Sequence, residues 1–141
     1  MKIGIGSDHA GYQLKTRVLK EIKLPEMEWL DIGCQSEVKT SHVLIAEKMS
    51  QLILAGEIDL GILVCGTGIG MSLVANRHQG IRAAVANDVY SAIKSKEHNH
   101  ANLLCVGARV LGVEHAELVI ESWLKAKPDQ AYKEIALRLD Q

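Results

Sequence analysis

The residues best suited to chemistry form a short loop in the middle of the chain, Cys65-Gly66-Thr67-Gly68-Ile69-Gly70. Its three glycines, at alternate positions, let backbone N–H groups approach a ligand closely because no Cβ stands in the way. A helical pattern follows from about Met71 and adds unpaired N–H groups of its own. Such a loop favours an anion, or an oxyanion that develops during a reaction. A thiol at its mouth could act as an acid, a base or a nucleophile.

Cys65 also has a simpler interpretation, a small buried hydrophobic residue at the end of a strand, which is how most free cysteines behave. The adjacent glycine loop favours the chemical interpretation. Cys34 and Cys105 have no comparable setting and are predicted to be structural. Three widely spaced cysteines without a Cys-x-x-Cys pair indicate a reducing, cytoplasmic location and argue against a disulfide framework or a structural zinc site.

Three further polar groups lie next to apolar segments. Asp8-His9 directly follows the first apolar segment of the chain. It forms either a turn in which the Asp side chain bonds to nearby backbone, or an acid–base pair over the glycine loop. His98-Asn99-His100 precedes a buried segment, where a solvated loop, a metal site and an imidazole poised for proton transfer are alternatives. Two histidines without a nearby carboxylate or thiolate make the metal the weaker choice. Arg109, just past the fifth strand, is placed to hold a phosphate.

The glycines do not complete a nucleotide motif. Met71 occupies the position of the last glycine in G-x-G-x-x-G, and no Lys-Ser/Thr pair of a phosphate-loop NTPase follows. We therefore expect no cofactor. A net charge of −1 leaves no broad basic surface for nucleic acid. The sequence contains no run of about 18 apolar residues and no apolar N-terminal leader, so neither a membrane span nor a signal peptide is expected.

The elements that must position these residues alternate between strand and helix, in a chain whose 141 residues predict one domain, residues 1–141. This alternation predicts an α/β fold, a parallel sheet with helices on both faces and ligands beyond the carboxyl ends of the strands. The predicted strands are Lys2–Ser7, Trp29–Ile32, Leu60–Val64, Ile81–Ala86 and Leu103–Val106. The predicted helices are Tyr12–Lys23, Ser41–Ala55, Met71–Arg77, Val89–Lys96, Ala116–Lys125 and, last, about Asp129–Leu139.

Five motifs in one order identify a resemblance that covers nearly the whole chain. They are Ser7-Asp8-His9-Ala10-Gly11, Cys65-Gly66-Thr67-Gly68-Ile69-Gly70, Gly80-Ile81-Arg82-Ala83-Ala84, His98-Asn99-x-x-Asn102 and Gly107-Ala108-Arg109-Val110-Leu111-Gly112. The chain resembles the ribose-5-phosphate isomerase B and galactose-6-phosphate isomerase family of sugar-phosphate isomerases. The resemblance implies a Rossmann-like three-layer α/β/α sandwich with a five-stranded parallel sheet and an extra C-terminal helix. It also implies a homodimer or homotetramer whose sites are each made from two subunits.

The same resemblance implies a metal-free and cofactor-free aldose–ketose isomerisation, most simply of ribose 5-phosphate to ribulose 5-phosphate. Cys65 would move a proton between C1 and C2 of the open-chain sugar, and Thr67 would assist proton transfer between the oxygens. The amides of the loop would stabilise the enediolate. The resemblance also implies that His98 helps to open the sugar ring. Asp8 and Asn99 would bind or orient sugar hydroxyls, and His9 and Arg109 would contact the phosphate.

Departures from the family pattern concern the substrate. His42 stands where the family often has a tyrosine, and Tyr132 and Ala136 stand where ribose-5-phosphate members carry two arginines. The Lys127-Pro128 segment is similar to one galactose-6-phosphate isomerase subunit. Isomerisation of galactose 6-phosphate, allose 6-phosphate or a tetrose phosphate therefore stays open. So do a non-catalytic subunit or sugar-phosphate binder and, from fold alone, a nucleotide-binding regulatory domain.

Overall fold

The computed structural model describes residues 1–141 and contains five strands that form one parallel sheet. Long apolar runs with β-branched residues form its central strands, as expected where helices cover both faces. The strands are β1 (Lys2–Ser7), β2 (Glu28–Asp31), β3 (Leu60–Cys65), β4 (Ala83–Val85) and β5 (Leu103–Gly107). Their order across the sheet is β2-β1-β3-β5-β4. The α/β class, the five parallel strands and the Rossmann-like three-layer arrangement are confirmed.

The helices fall close to their predicted positions, with shifts at their ends. They are α1 (Tyr12–Glu21), α2 (His42–Leu54), α3 (Ile69–Ala75), α4 (Val89–Glu97), α5 (Val113–Lys125) and α6 (Lys133–Leu139). Helix α3 begins two residues before the predicted Met71, so Gly70 is helical. Helix α4 is capped by Asp88, whose carboxylate accepts a hydrogen bond from the Ser91 N–H at 2.7 Å. None of these helices is long and apolar enough to cross a membrane.

The sheet separates two hydrophobic cores because alternate strand residues point to opposite faces. One core packs Ile62 and Val64 of β3 against α1, α4 and α5, and includes the fully buried Trp123. The other packs Leu63 and Cys65 against α2 and α3. Cys65 is thus the last inward-facing residue of its strand, directly before the glycine loop.

The strand order reverses between β1 and β3, since the chain leaves β1 outward to β2 and then returns on the other side. This reversal is where open α/β sheets bind their ligands. In the ladder Ser7 pairs with Val64, and Cys65 pairs with Gly107. The carboxyl ends of β1, β3 and β5 therefore lie side by side.

The C-terminal helix packs on its own chain and also leaves apolar residues outside. Ala136 is buried, and the Arg82 guanidinium pairs with the Asp140 carboxylate at 2.5 Å. Leu137 and Leu139 are more than half exposed, at 56% and 55%. The predicted helix from Asp129 is in fact a 3₁₀ turn, Gln130–Tyr132, followed by α6, because the Asp129 side chain caps the turn by accepting from Ala131 N–H at 2.9 Å.

Candidate active site

Three of the predicted site segments meet at one end of the strands, where β1, β3 and β5 finish. We call this end of the sheet the carboxyl edge. Backbone hydrogen bonds join them directly. The Asp8 N–H donates to the Val64 carbonyl at 3.2 Å, and the Arg109 N–H donates to the Gly66 carbonyl at 3.0 Å. The strands therefore fix Asp8, the loop after Cys65 and Arg109 relative to one another.

Cys65 lies at the mouth of its loop with 5% of its surface exposed. The Gly68 N–H donates to the Cys65 Sγ at 3.1 Å, which holds the sulfur beneath the turn. Gly68 needs to be glycine for two reasons: its φ is +82°, and a Cβ would stand 3.1 Å from the backbone of Val106. The turn is thus pressed against β5, and its shape depends on the neighbouring strand.

The loop presents backbone donors that the chain itself does not use. The N–H groups of Thr67 and Gly70 have no acceptor within the chain, whereas the Ile69 N–H donates to the Thr67 Oγ1 at 3.2 Å. Thr67 and Ile69 are exposed. Free N–H groups beside a thiol are the arrangement that stabilises an oxyanion formed next to a base.

Asp8 and His9 are held by the segments around them. The Asp8 Oδ1 accepts from the N–H groups of Ala10 and Gly11, at 2.9 and 3.2 Å, so the turn interpretation of this residue is realised. The His9 Nδ1 accepts from the Thr40 N–H at 3.3 Å. In a neutral ring this hydrogen bond assigns the proton to Nε2 and leaves that nitrogen as a donor.

Two side chains at this edge lie against the glycines of the loop. A Cβ on Gly66 would be 3.5 Å from the Arg109 Cδ, and a Cβ on Gly70 would be 3.0 Å from the His42 Nε2. The His42 ring therefore lies against the loop. Asn87, which sequence reasoning did not assign to the site, accepts from the Gly107 N–H through its Oδ1 at 3.0 Å. Its position directly after β4 was the available signal.

His98 and Asn99 lie at the other end of the strands; we call this the opposite edge. They follow α4 and precede β5, whose five residues span about 16 Å at about 3.3 Å per residue. The His98 ring stacks on Tyr132, with ring centroids 4.3 Å apart and an interplanar angle of 28°. Asn99 is exposed and lines a cleft with Arg82 and Leu139. One chain therefore does not bring these residues to Cys65.

The histidines near α4 have separate partners. The His100 Nε2 is 2.7 Å from the Asp129 carbonyl oxygen, while His98 faces Tyr132. No group of three His, Cys, Asp or Glu side chains in the chain could hold a metal ion.

The other two cysteines are buried outside the loop itself, Cys105 on the neighbouring strand β5 and Cys34 beyond the end of β2. Burial raises the pKa of the Cys105 thiol well above its usual range, and the nearness of Cys65 adds to the rise. The Cys34 Sγ donates to the Ser36 carbonyl at 3.1 Å. Cys65 is the cysteine that borders the free N–H groups.

Comparison with known proteins identifies the family. A family model described as Ribose/Galactose Isomerase matches residues 3–140. Ribose-5-phosphate isomerase B of Escherichia coli (strain K12) is 40% identical over 126 residues, which are 89% of this chain and 85% of that protein. A galactose-6-phosphate isomerase subunit of Clostridium acetobutylicum is 35% identical, over 100% of this chain and 83% of its own.

Solved structures agree with the sequence matches. The structure of Clostridium thermocellum ribose-5-phosphate isomerase B superposes with a TM-score of 0.94 at 39% identity, covering 99% of this chain and 95% of that one. The fold is thus shared with these isomerases over nearly the whole chain. The chain belongs to the ribose/galactose isomerase family and is a sugar-phosphate isomerase that interconverts an aldose and a ketose.

Proposed function

We propose that the substrate pair is ribose 5-phosphate and ribulose 5-phosphate, and that Cys65 is the base. The observation that carries the proposal is the position of Cys65 at the end of β3, next to the unused N–H groups of Thr67 and Gly70. Removal of a proton next to a carbonyl requires a base near the C–H bond and donors aimed at the oxygen that becomes negative. This edge of the sheet supplies both from adjacent residues.

In the proposed reaction the Cys65 sulfur takes the proton from C2 of the open-chain aldose and returns it to C1. The unused N–H groups of the glycine loop, those of Thr67 and Gly70, stabilise the enediolate between these steps, while the Gly68 N–H holds the sulfur. The Thr67 hydroxyl moves a proton between O1 and O2, so the sugar gains and loses no proton overall. Because the electrons stay within the sugar, the reaction needs no hydride carrier.

The phosphate and hydroxyl contacts are assigned to the remaining residues. The His9 Nε2–H, left free by the hydrogen bond at Nδ1, donates to the phosphate together with the Arg109 guanidinium. Asp8 keeps its Oδ2 for a sugar hydroxyl, since Oδ1 is engaged by the Ala10 and Gly11 N–H groups. Asn99 orients a hydroxyl from the opposite edge.

A homodimer completes the site in this proposal. His98 and Asn99 are separated from Cys65 of the same chain by the length of β5, about 16 Å. A second copy, turned so that its opposite edge faces the carboxyl edge, supplies them, and a two-fold axis makes both sites equivalent. Homotetramers are pairs of such dimers. The three free cysteines support a reducing, cytoplasmic location.

The test is aldose–ketose interconversion across phosphorylated sugars of four, five and six carbons. We expect turnover of ribose 5-phosphate, and a loss of about 100-fold or more in Cys65→Ala, since general acid–base catalysis contributes about 10²–10⁴-fold. Cys105→Ala is the matched control, because it removes a buried thiol from the next strand and leaves every residue of the loop unchanged. Retained activity in folded Cys65→Ala would contradict the mechanism.

A second candidate function is supported by two residues of the C-terminal segment, Tyr132 and Ala136. Tyr132 and Ala136 lack the charge of the arginines they replace, which favours another sugar phosphate or a subunit that needs a different partner. A preference for a four- or six-carbon substrate in the panel would establish that the substrate is another sugar phosphate. Ligand binding without turnover by the pure homo-oligomer would establish that the chain is a subunit that needs a different partner.

A further inference from the structure

We propose that Tyr132 is a positioning residue that fixes the plane of the His98 imidazole for opening of the sugar ring. The inference deepens the proposed function and rests on it, since it assigns His98 to ring opening. Its evidence is the stack between the two rings, with centroids 4.3 Å apart and planes inclined by 28°. At this separation the two rings are in direct contact, and stacked aromatic side chains stabilise each other.

The stack holds the His98 ring without using its nitrogens. The hydrogen bonds of the chain engage the His98 backbone N–H, which donates to the Lys94 carbonyl at 2.9 Å, and neither ring nitrogen. A carboxylate partner would fix one tautomer and occupy one nitrogen. Stacking fixes the plane alone, so Nδ1 and Nε2 both stay available to the sugar and to water.

Tyr132 is itself anchored on both sides of His98. The Asp129 N–H donates to the Glu97 carbonyl at 3.0 Å, and the His100 Nε2 lies 2.7 Å from the Asp129 carbonyl oxygen. That same oxygen accepts the Tyr132 N–H at 3.0 Å. Contacts to Glu97 and His100, one residue before and two residues after His98, therefore restrict where the tyrosine ring can lie.

Ring opening is the step that needs this control. The C1–O4 bond of the furanose breaks, O4 gains a proton, and the C1 hydroxyl loses one as the carbonyl forms. His98 donates to O4, the C1 proton passes to water, and water returns a proton to the imidazole, so none is consumed. The donor must lie near the plane of the O4 lone pair, which a freely rotating imidazole does not ensure.

The test separates ring opening from the proton transfer at Cys65. Isomerisation of ribose 5-phosphate requires both steps. Exchange of the C1 proton of ribulose 5-phosphate with D₂O requires only the second, because its 5-phosphate prevents ring closure. In Tyr132→Ala we expect isomerisation to fall about tenfold or more, with proton exchange within about twofold of the wild type. Tyr132→Phe keeps the ring and should restore isomerisation.

A control distinguishes the stack from general loosening of the C-terminal helix. Asp140→Asn breaks the pair with Arg82 at the end of α6 and leaves Tyr132 in place, so both rates should stay unchanged. Equal losses of isomerisation and exchange in Tyr132→Ala, or no loss of either, would overturn the positioning role. Failure of the Phe variant to restore the rate would also overturn it.

A second measurement keeps this result apart from the proposed function. If the wild type isomerises no ribose 5-phosphate and exchanges no proton, the proposed substrate is wrong. The stack is then still tested by NMR of the His98 ring in the free protein. Loss of the Tyr132 ring in Tyr132→Ala should shift the imidazole resonances, while Tyr132→Phe should leave them near their original positions. Unchanged resonances in the Ala variant would overturn the inference.

Discussion

The two edges of the sheet are built in different ways. At the carboxyl edge, backbone hydrogen bonds between neighbouring strands hold Asp8, the Cys65 loop and Arg109, and glycines allow the close approach. At the opposite edge, contacts between a helix end and the C-terminal segment hold His98, through the ring of Tyr132. Backbone positions change little with sequence, whereas ring contacts change with a single residue.

This difference coincides with the departures from the family pattern that the sequence resemblance implies. The motif residues that would move protons at the carboxyl edge, Cys65 and Thr67, are present. The residues that differ from the expected family pattern are Tyr132 and Ala136 in the C-terminal segment and His42 beside the loop. The common chemistry therefore lies on the rigid scaffold, and substrate preference is expected to follow the side-chain contacts. The predictions below test that division, from the largest effect to the smallest.

The first prediction mixes two inactive variants, each altered at one edge. We expect Cys65→Ala and His98→Ala to lose about 100-fold or more in turnover when alone. Co-refolded in equal amounts, they should recover about a quarter of wild-type activity, because half of the dimers are hybrids with one intact site each. The measurement is turnover of the mixture against the separate proteins.

The control mixture combines Cys65→Ala with Thr67→Ala, which alter the same edge. No intact site can form in their hybrids, so activity should stay at the level of the single variants. No recovery in the first mixture would show that each site is made within one chain, whereas recovery in this control would contradict the placement of Cys65 and Thr67 in the same site.

The second prediction compares two glycines of the loop. Gly68→Ala should lower the free energy of unfolding by about 1–2 kcal/mol and kcat/KM by about 100-fold, because φ is +82° and the methyl group would meet the Val106 backbone. Gly70→Ala should change the free energy of unfolding by no more than about 1 kcal/mol. Alanine favours a helix, and the new methyl group would meet the His42 ring, which can move.

Denaturant unfolding and steady-state kinetics on both variants provide the measurement. Similar losses in the two would mean that the backbone of β5 does not set the shape of the loop. A large loss in Gly70→Ala that the added change His42→Ala relieves would assign a fixed position to the His42 ring.

The third prediction concerns stability alone, at the opposite edge. Burial lowers the pKa of Lys96 to about 8, while its amine lies over the Trp123 ring and donates to the Trp123 carbonyl at 3.0 Å. Between about pH 8 and the unfolded value near 10.4 the unfolded chain binds more protons, so the Lys96 contribution to stability rises with pH. The excess stability of the wild type over Lys96→Met should therefore increase from about pH 7.5 to 9.5.

Unfolding free energies at four pH values across that range test this sign. Lys125→Met is the control, since Lys125 is exposed and pairs with Glu121 on the helix surface. Its difference from the wild type should stay flat. A flat difference for Lys96→Met as well would mean that its amine is not desolvated by folding.

Much of this architecture was predictable because its signals are local. Apolar runs located all five strands, and the glycine loop after Cys65 was recognisable from residue types alone. The stack of His98 on Tyr132 was not, since 34 residues separate them and both are common on surfaces. The position of β5 between β3 and β4 was also not predictable, because it depends on how the helical crossovers pack on the sheet.

That insertion has a consequence for how the molecule is made. Until β5 is synthesised, β3 has an open edge of unpaired N–H and C=O groups, and such edges invite aggregation. The turn after Cys65 also lacks the strand it is pressed against, because Val106 and Gly107 arrive about 40 residues later, at synthesis rates of about 5–20 residues per second. The turn after Cys65 can therefore reach its final shape only after β5 has been synthesised, and a nascent chain stalled before Leu103 leaves one side of β3 open.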